Sequence, residues 1–190
     1  QSFEHARLLD ELLERTESGY RPLIERTHAV AAAVEALFSE ALARARLSEG
    51  DLFDVDYVAI AETDPQQHRN RALAVLEEIL PPLLARSIAS DPRLLFTVAI
   101  DRNGYIPVHN AAYALPQRPG DPVWNAAHSR NRRIFDDRAG IAAARSVRPF
   151  LVQSYLRDMG GGVHEMVREV DAPVRINGRH WGGVRMAYGM

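Results

Sequence analysis

The sequence predicts an α+β fold in which long N-terminal helices cover a five-stranded antiparallel sheet. The first observation behind this prediction is that apolar residues before residue 92 recur at three- and four-residue steps, as in amphipathic helices. The second is that the apolar period changes to two after residue 92, as in strands. We expect two parts: an N-terminal helical segment at 1–48 and a sheet-containing domain at 49–190.

Three helices are predicted in the first half of the chain. The first two follow the apolar patterns at 8–13 and 23–45. The third is predicted to begin at Asp64, because aspartate caps helices well and Pro65 suits the first helical position. Gln67 then completes a capping box. An antiparallel sheet with one apolar face needs a cover, and these helices are expected to supply it.

Five strands are predicted after residue 92. The apolar run Leu94–Asp101 is followed by Asn103-Gly104, which is a strong signal for a tight hairpin. Residues 105–109 are therefore expected to return as the second strand. Residues 111–148 are predicted to be irregular, apart from a short helix within 130–145. The remaining strands are predicted at 150–155, 170–176 and 184–188, with turns at 158–162 and 177–178.

The composition excludes several classes of chemistry. The chain has 190 residues and no cysteine, which excludes disulfides and thiolate nucleophiles. All 23 basic residues are arginine, so neither a Schiff-base lysine nor the lysine of a phosphate-binding loop is available. No apolar run approaches the roughly 20 residues of a membrane span, and the N-terminus lacks the pattern of a signal peptide. The sequence therefore predicts a soluble cytoplasmic protein.

Charge is distributed unevenly along the chain. Residues 1–90 contain 16 acidic residues and 9 arginines, a net charge of −7. Residues 91–190 contain 9 acidic residues and 14 arginines, a net charge of +5. Arginine binds carboxylates and phosphates through two parallel hydrogen bonds, so the arginine-rich half favours an anion site. Nucleic acid is not predicted as a partner, because the isoelectric point near 6.4 is far from the basic values of such domains.

No motif in the sequence assembles a catalytic or metal site. The seven histidines include no pair at the three- or four-residue spacing that places two ligands on one helix face. The serines lack the context of a nucleophile elbow. Asp136 and Asp137 are flanked by Arg132, Arg133 and Arg138, which predicts ion pairs rather than catalysis. We therefore expect no enzymatic activity, no catalytic residue and no metal ligand.

Arginine and aromatic residues are concentrated in the predicted loop–helix region and the third strand. The members of this cluster are Trp124, Asn125, His128, Arg130, Asn131, Arg133, Tyr155 and Arg157. One interpretation is a small-molecule pocket, in which arginine takes an anion and the aromatic rings form walls. The other is a solvated helix face beside a core aromatic residue. The cluster by itself leaves both interpretations open.

Six segments carry a resemblance to a known family: Leu52–Asp54, Thr63–Pro65, Leu80–Pro82, Asp101–Asn110, Asn131–Arg138 and Asn177–Gly183. They are similar to the Cache-like, PAS-like cytoplasmic sensory domain found at the C-terminal end of some methyl-accepting chemotaxis proteins. The resemblance covers residues 35–190. The chain departs from the family at residues 59–62, where relatives tend to carry a loop with proline and glycine.

The resemblance implies a ligand-sensing input domain of a bacterial chemotaxis receptor, with its ligand cleft on one face of the sheet. Together with the arginine and aromatic cluster, it predicts the ligand-binding residues Tyr105, His109, Trp124, Arg130, Arg133, Tyr155 and Arg157. The expected partners are a small anionic metabolite, a second copy of the chain, and a chemotaxis signalling module in the same or a partner chain. The segment 1–48 is expected to be either a linker from a signalling coiled coil or the dimer helices of the sensor.

Two other functions remain open at this point. A haem-binding gas or redox sensor would use a histidine such as His109 or His180 as its axial ligand. Apart from this alternative, no cofactor is expected. A purely structural dimerisation module would bind no ligand at all, and the arginines of the cluster could then be replaced without effect.

Overall fold

The computed structural model describes the backbone of residues 2–189 and the side chains of residues 19–189. The helices are α1 (Ser2–Ala43), α2 (Glu49–Leu52), α3 (Leu73–Ala89), α4 (Pro122–His128) and α5 (Arg138–Arg145). The strands are β1 (Val58–Ala59), β2 (His68–Arg69), β3 (Leu94–Asp101), β4 (Tyr105–Ile106), β5 (Arg133–Ile134), β6 (Leu151–Asp158), β7 (His164–Ile176) and β8 (Arg179–Gly189).

Helix α1 is one continuous helix of 42 residues, where the sequence predicts two. Pro22 lies inside it; a proline removes one helical hydrogen bond, and the helix continues through this position. Val34 and Phe38 on its described apolar face are fully buried, and Leu23 and Leu37 are partly buried beside them. The predicted apolar face at 8–13 lies outside the described side chains. The loop between α1 and α2 spans residues 44–48, and the division of the chain at 48/49 stays a prediction.

The helix that the sequence predicts from Asp64 is α3, and it begins at Leu73 instead. Residues 60–67 instead form a closed loop between β1 and β2, in which the Ile60 N–H donates to the Gln67 carbonyl at 2.9 Å. The Thr63 hydroxyl accepts the Gln67 N–H at 2.9 Å. Local side-chain hydrogen bonds of this kind compete with helix formation, so the polar residues close a loop here rather than cap a helix.

The main sheet is antiparallel, with strand order β3–β8–β7–β6. Within residues 2–189 it has four strands, so the prediction of five is wrong. The tight turn at Asn103-Gly104 does form, with Gly104 at φ +89°, but the segment after it does not pair with β3. Instead, β4 pairs with β5, which places Tyr105 opposite Ile134. The Gly104 carbonyl accepts the Phe135 N–H at 2.7 Å, which fixes this small ladder beside the turn.

The three remaining strands and the short helix predicted in the second half of the chain do form, although β7 begins at His164 rather than at residue 170. Strands β6, β7 and β8 lie where three strands are predicted, and the turns between them contain glycines at positive φ. Helix α5 lies within the predicted range 130–145. Helix α4 is an addition to the prediction. Asp121 caps it by accepting the Trp124 N–H at 3.3 Å, and Pro122 occupies its first turn.

Both faces of the main sheet are covered. One face packs against α1 and α3, and its buried side chains include Val174 and Met186. The other face carries Phe96 and Val167. It is covered by α5 and by the excursion between β3 and β6, and it holds the candidate site. Among the described helices we find none with the length and hydrophobicity that a membrane span requires.

Candidate functional site

A cleft of about 470 Å³ opens on the sheet face opposite α1, and we call it the arginine cleft. Its volume lies in the range of small-molecule sites. Four arginines line it: Arg130, Arg133, Arg157 and Arg185. Its remaining walls include the apolar and aromatic side chains of Phe96, Ile106, Ile134, Phe135, Tyr155 and Leu156, together with His109.

Strand alternation brings part of this lining together. Side chains two residues apart on a strand share one face, so Tyr155 and Arg157 of β6 project to the same side of the sheet. Arg185 reaches this side from β8. Arg130 and Arg133 come from the excursion, which the pairing of β4 with β5 holds across the sheet. The cluster predicted from the sequence is thus assembled from two distant parts of the chain.

The Arg157 guanidinium is buried without a hydrogen-bond partner. Its side chain is 2% exposed, and among the described residues none of its three nitrogens has an acceptor. The carboxylate oxygen Glu165 Oε2 lies 3.6 Å from Nη1. The ring centroids of Phe96 and Tyr113 lie 4.8 and 4.3 Å from Cζ, and these cation–π contacts offset part of the desolvation cost. The Arg157 guanidinium is therefore held in place by its neighbours, while its N–H groups remain free to donate to a ligand.

Arg130 and Arg133 lie together over the Phe135 ring, with their Cζ atoms 5.1 and 4.7 Å from its centroid. Arg130 Nη1 donates to the carbonyl oxygens of Ala126 and Asp158 at 2.8 and 2.9 Å. Arg133 Nη1 donates to the Ala126 carbonyl at 3.3 Å. These carbonyls fix the position of both side chains but carry no full negative charge, so the two positive charges are not neutralised by them.

The pKa values of Arg130 and Arg133 are lowered by burial, and that of Arg130 also by the neighbouring arginines. Burial lowers the pKa of Arg130 to about 9, and the charges of Arg157, Arg133 and Arg185 act in the same direction. Burial also lowers the pKa of Arg133 to about 10. An anion placed among these groups would offset their repulsion and raise both pKa values.

Behind Tyr155 and Arg185 of the cleft lining lies a polar network formed with Gln153, Glu169 and Asp171, which we call the floor of the cleft although these three residues do not line it. Glu169 is fully buried, accepts a hydrogen bond from Arg185 Nε at Oε2 (3.0 Å), and has Arg185 Nη2 3.0 Å from Oε1 as an ion-pair contact. The Tyr155 hydroxyl donates to Glu169 Oε1 at 2.7 Å and accepts from Arg185 Nη2 at 3.0 Å. Gln153 Nε2 donates to Asp171 Oδ2 at 2.9 Å. These bonds hold Arg185 and Tyr155 as rigid walls of the cleft.

The pKa values of the two carboxyl groups of the floor are shifted in opposite directions. Although burial opposes ionisation, the Arg185 charge and hydrogen bonds from its neighbours hold the pKa of Glu169 below its ordinary value. Burial, and then the charge of Glu169, raise the pKa of Asp171 well above its ordinary value. Glu169 is therefore ionised and neutralises Arg185, whereas ionisation of Asp171 is opposed in the native state. Of the other three cleft arginines, Arg157 has the Glu165 carboxylate at 3.6 Å, whereas Arg130 and Arg133 have no salt bridge among the described residues.

His109 is a neutral wall of the cleft. It is 5% exposed, and its ring centroid lies 5.6 Å from that of Phe96 and 5.2 Å from that of Tyr113. Burial lowers the pKa of His109 well below its ordinary value, and the charges of Arg130 and Arg157 add to the shift. Its Nδ1 atom has no hydrogen-bond partner among the described residues.

Five of the seven predicted ligand-binding residues line the cleft, and Tyr105 and Trp124 do not. Tyr105 packs against the Tyr57 ring, and its hydroxyl donates to the His68 carbonyl at 2.7 Å. Trp124 stacks on His128 with ring centroids 4.3 Å apart, and Arg118 Cζ lies 3.7 Å from its ring. Both residues build the structure around the cleft. His180, named above as an alternative haem ligand, also lies outside the lining.

Asp136 and Asp137 stand exposed at the mouth of the cleft. The predicted ion pairs with their arginine neighbours are wrong: Arg132 pairs instead with Glu77 of α3, at 2.7 Å. Adjacent side chains of an extended segment point to opposite sides, which separates these charges. No group of three potential metal ligands comes together in the part of the chain that is described. The cleft thus has an acidic mouth and a basic interior.

Three residues of this region were not predicted from the sequence: Arg185 in the cleft lining, and Glu169 and Asp171 in the floor behind it. They alternate with apolar residues on β7 and β8, a pattern that predicts a solvent-facing side. In the structure that side is covered as well. These residues could have been found from their charges. Two strands joined by a short turn carry opposite charges, and cross-strand charge pairs commonly stabilise a sheet.

No protein-family model and no curated protein matches the chain. Among solved structures, it is similar to an extracellular ligand-binding receptor from Desulfohalobium retbaense, with 13% identity and a TM-score of 0.37 over 86% of this chain and 24% of that one. It is also similar to the ligand-binding domain of the Pseudomonas aeruginosa PAO1 amino acid chemoreceptor PctC in complex with GABA, with 15% identity and a TM-score of 0.32 over 90% and 61%. A third similar structure is methyl-accepting chemotaxis protein X, with 15% identity and a TM-score of 0.36 over 92% and 64%. The chain spans less than two thirds of each of these proteins.

Proposed function

We propose that this chain is the ligand-sensing input domain of a bacterial chemotaxis receptor, and that it binds a small anionic metabolite in the arginine cleft. The observation that carries this proposal is Arg157, whose guanidinium is buried with no hydrogen-bond acceptor among the described residues. The resemblance of the sequence to Cache-like sensory domains supports the same role.

A bound anion would supply the hydrogen-bond acceptors that the buried Arg157 guanidinium lacks. A buried polar group without a partner costs about 1–3 kcal/mol, and a charged group costs more. Carboxylate and phosphate oxygens match the paired donors of a guanidinium. The rings of Phe96 and Tyr113 hold the guanidinium but offer it no acceptor. We therefore expect much of the binding energy to come from acceptors that the ligand supplies to Arg157.

The charge distribution favours a ligand that places its anionic group deep in the cleft. Arg130 and Arg133 lie inside without a salt bridge to any described carboxylate. Arg157 has one carboxylate oxygen nearby, Glu165 Oε2 at 3.6 Å, without a hydrogen bond to it. Asp136 and Asp137 stand at the mouth. The interior attracts an anion and the mouth repels one. The remaining walls are aromatic and aliphatic, so the body of the ligand would be covered by apolar surface.

We propose that the signal passes through the sheet to the N-terminal helices. The cleft and α1 lie on opposite faces of the same strands, and Glu35 of α1 accepts the Arg175 N–H of β7 at 2.8 Å. A ligand that changes the curvature of the sheet would shift a two-state helical dimer. In this account the protein is a cytoplasmic homodimer, coupled to a chemotaxis signalling module in the same or a partner chain. Its role is binding rather than catalysis, and it needs no cofactor.

Thermal unfolding in the presence of carboxylates, amino acids and nucleobases tests the proposal. A ligand at a hundredfold excess over its Kd stabilises the native state by about 2.7 kcal/mol. We expect compounds with an anionic group to raise the melting temperature. Arg133→Ala should remove this increase, and Arg138→Ala, an exposed neighbour outside the cleft lining, should preserve it.

A shift produced by neutral compounds alone would contradict the anion site. A flat panel together with a silent Arg133→Ala variant would support the structural dimerisation module instead. A haem absorbance band in the purified protein would support the gas or redox sensor.

A further inference from the structure

A second cavity lies between α3 and the segment 107–115, and we call it the α3 groove. It has a volume of about 720 Å³ and shares one wall, His109, with the arginine cleft. Its other walls are mainly apolar. They include Pro81, Ala85 and Ile88 from α3, and Val108, Ala112 and Leu115 from the facing segment.

The α3 wall is a continuous stripe along the helix. Glu77, Pro81, Ala85 and Ile88 follow one another at steps of four, four and three residues, so they share one helix face. With a rise of 1.5 Å per residue, the stripe is about 16 Å long. The groove is therefore elongated, and it suits an extended apolar molecule rather than a compact polar one.

Two oxygen atoms at one end of the groove could accept hydrogen bonds but receive none from the described residues. Asn131 Oδ1 is buried and has no partner among the described residues. Pro81 has no N–H, so the Glu77 carbonyl lacks the hydrogen bond that the residue four positions later normally gives it. The Glu77 carboxylate is already paired with Arg132 at 2.7 Å. His109, which is 5% exposed, adds an unpartnered Nδ1 atom to the wall.

We propose that the α3 groove is a second ligand site, which takes an elongated apolar molecule with a hydroxyl group at one end. The apolar chain lies along the α3 stripe, and the hydroxyl donates to Asn131 Oδ1 or to the Glu77 carbonyl. This site does not depend on the binding of an anion in the arginine cleft, because His109 separates the two cavities.

Two probes of equal size test the proposal: octanol, which has a donor, and heptyl methyl ether, which has none. Each is titrated into the isotopically labelled protein while the amide resonances are followed by NMR. We expect octanol to produce saturable shifts confined to the segments 77–88, 107–115 and 131–132, which line the groove. We also expect octanol to bind severalfold more tightly than the ether, because the ether cannot donate to the unpaired acceptors.

Ala85→Phe should abolish these shifts by filling the groove from its α3 wall. Ala85 is exposed, so the larger side chain does not have to enter the core. Ala89→Phe, one helical turn further along and outside the lining, should leave octanol binding unchanged. Ala112→Phe fills the groove from the facing wall and replaces Ala85→Phe if that variant does not fold. Shifts that do not saturate, equal affinity for the two probes, or octanol binding that survives a filled groove would each overturn the proposal.

Discussion

Asp171 lies directly opposite Arg185 in the β7–β8 ladder, yet the Arg185 guanidinium is bound by Glu169. Opposite residues on an antiparallel ladder are usually the closest side-chain partners. Here the ion pair is formed with Glu169, two residues before Asp171, and Asp171 instead accepts a hydrogen bond from Gln153 Nε2. The floor of the arginine cleft therefore holds two carboxyl groups and one guanidinium, and burial together with the charge of Glu169 raises the pKa of Asp171.

Asp171→Asn should stabilise the protein at pH 7.5 but not near pH 4. The pKa of Asp171 is raised in the native state, whereas its unfolded value is about 3.9. The native state therefore holds a proton that the unfolded state releases, and stability is lost as pH rises above about 4. Asparagine has no such proton and still accepts the Gln153 hydrogen bond. Urea unfolding at both pH values measures the difference, and an equal loss of stability at both would contradict this account.

His109→Phe should reduce the loss of stability on mild acidification. The pKa of His109 is depressed in the native state, whereas its unfolded value is about 6.5. Below that pH the unfolded state gains a proton that the native state does not take up, so stability falls by up to about 1.4 kcal/mol per pH unit.

Phenylalanine keeps an aromatic ring between Phe96 and Tyr113 and cannot be protonated. The free energy of unfolding between pH 7 and pH 5 should therefore fall less steeply than in the wild type. His164→Phe, which replaces an exposed histidine, is the control and should keep the wild-type slope. A slope that is unchanged in His109→Phe would assign the acid sensitivity to other groups.

Gly104→Ala should cost more stability than Gly178→Ala, although both glycines have positive φ, +89° and +75°. The left-handed backbone alone costs about 1–2 kcal/mol for a residue with a Cβ atom. At Gly178 nothing lies within 4 Å of that atom, whereas at Gly104 it would lie 2.5 Å from the Phe135 carbonyl oxygen. Since Phe135 supports Arg130 and Arg133, we expect Gly104→Ala also to weaken anion binding. Equal unfolding free energies for the two variants would refute the steric argument.

The sequence predicted the fold where the signal is local and failed where it is not. Asn103-Gly104 predicted its turn correctly, because the turn needs only positive φ at Gly104. The strands β4 and β5 lie almost thirty residues apart in the sequence, and their pairing depends on contacts such as the one between Gly104 and Phe135. No local sequence pattern encodes such a pairing. The sheet consequently has one strand fewer than predicted.

The site was predicted in part for the same reason. Arg130, Arg133 and Arg157 belong to a cluster found from its density of arginine and aromatic residues, and the family resemblance was needed to interpret that cluster as a ligand site. Asp171 and Arg185 were missed because a regular two-residue turn at 177–178 would pair residue 171 with residue 184. An irregularity between Val174 and Arg175 shifts the register by one. A bulge of this kind is a tertiary feature, since it depends on the packing around the strand.

Arg157→Met tests the central claim, that the cleft holds a buried arginine whose acceptors come from a ligand. Methionine fills the space between Phe96 and Tyr113 without a charge, so we expect a higher melting temperature for the ligand-free protein. The same variant should lose the stabilisation that an anionic ligand gives the wild type. Arg86→Met, an exposed change on α3, should alter neither quantity. A variant that is less stable without ligand and still binds the anion with wild-type affinity would make Arg157 a structural residue and contradict the account.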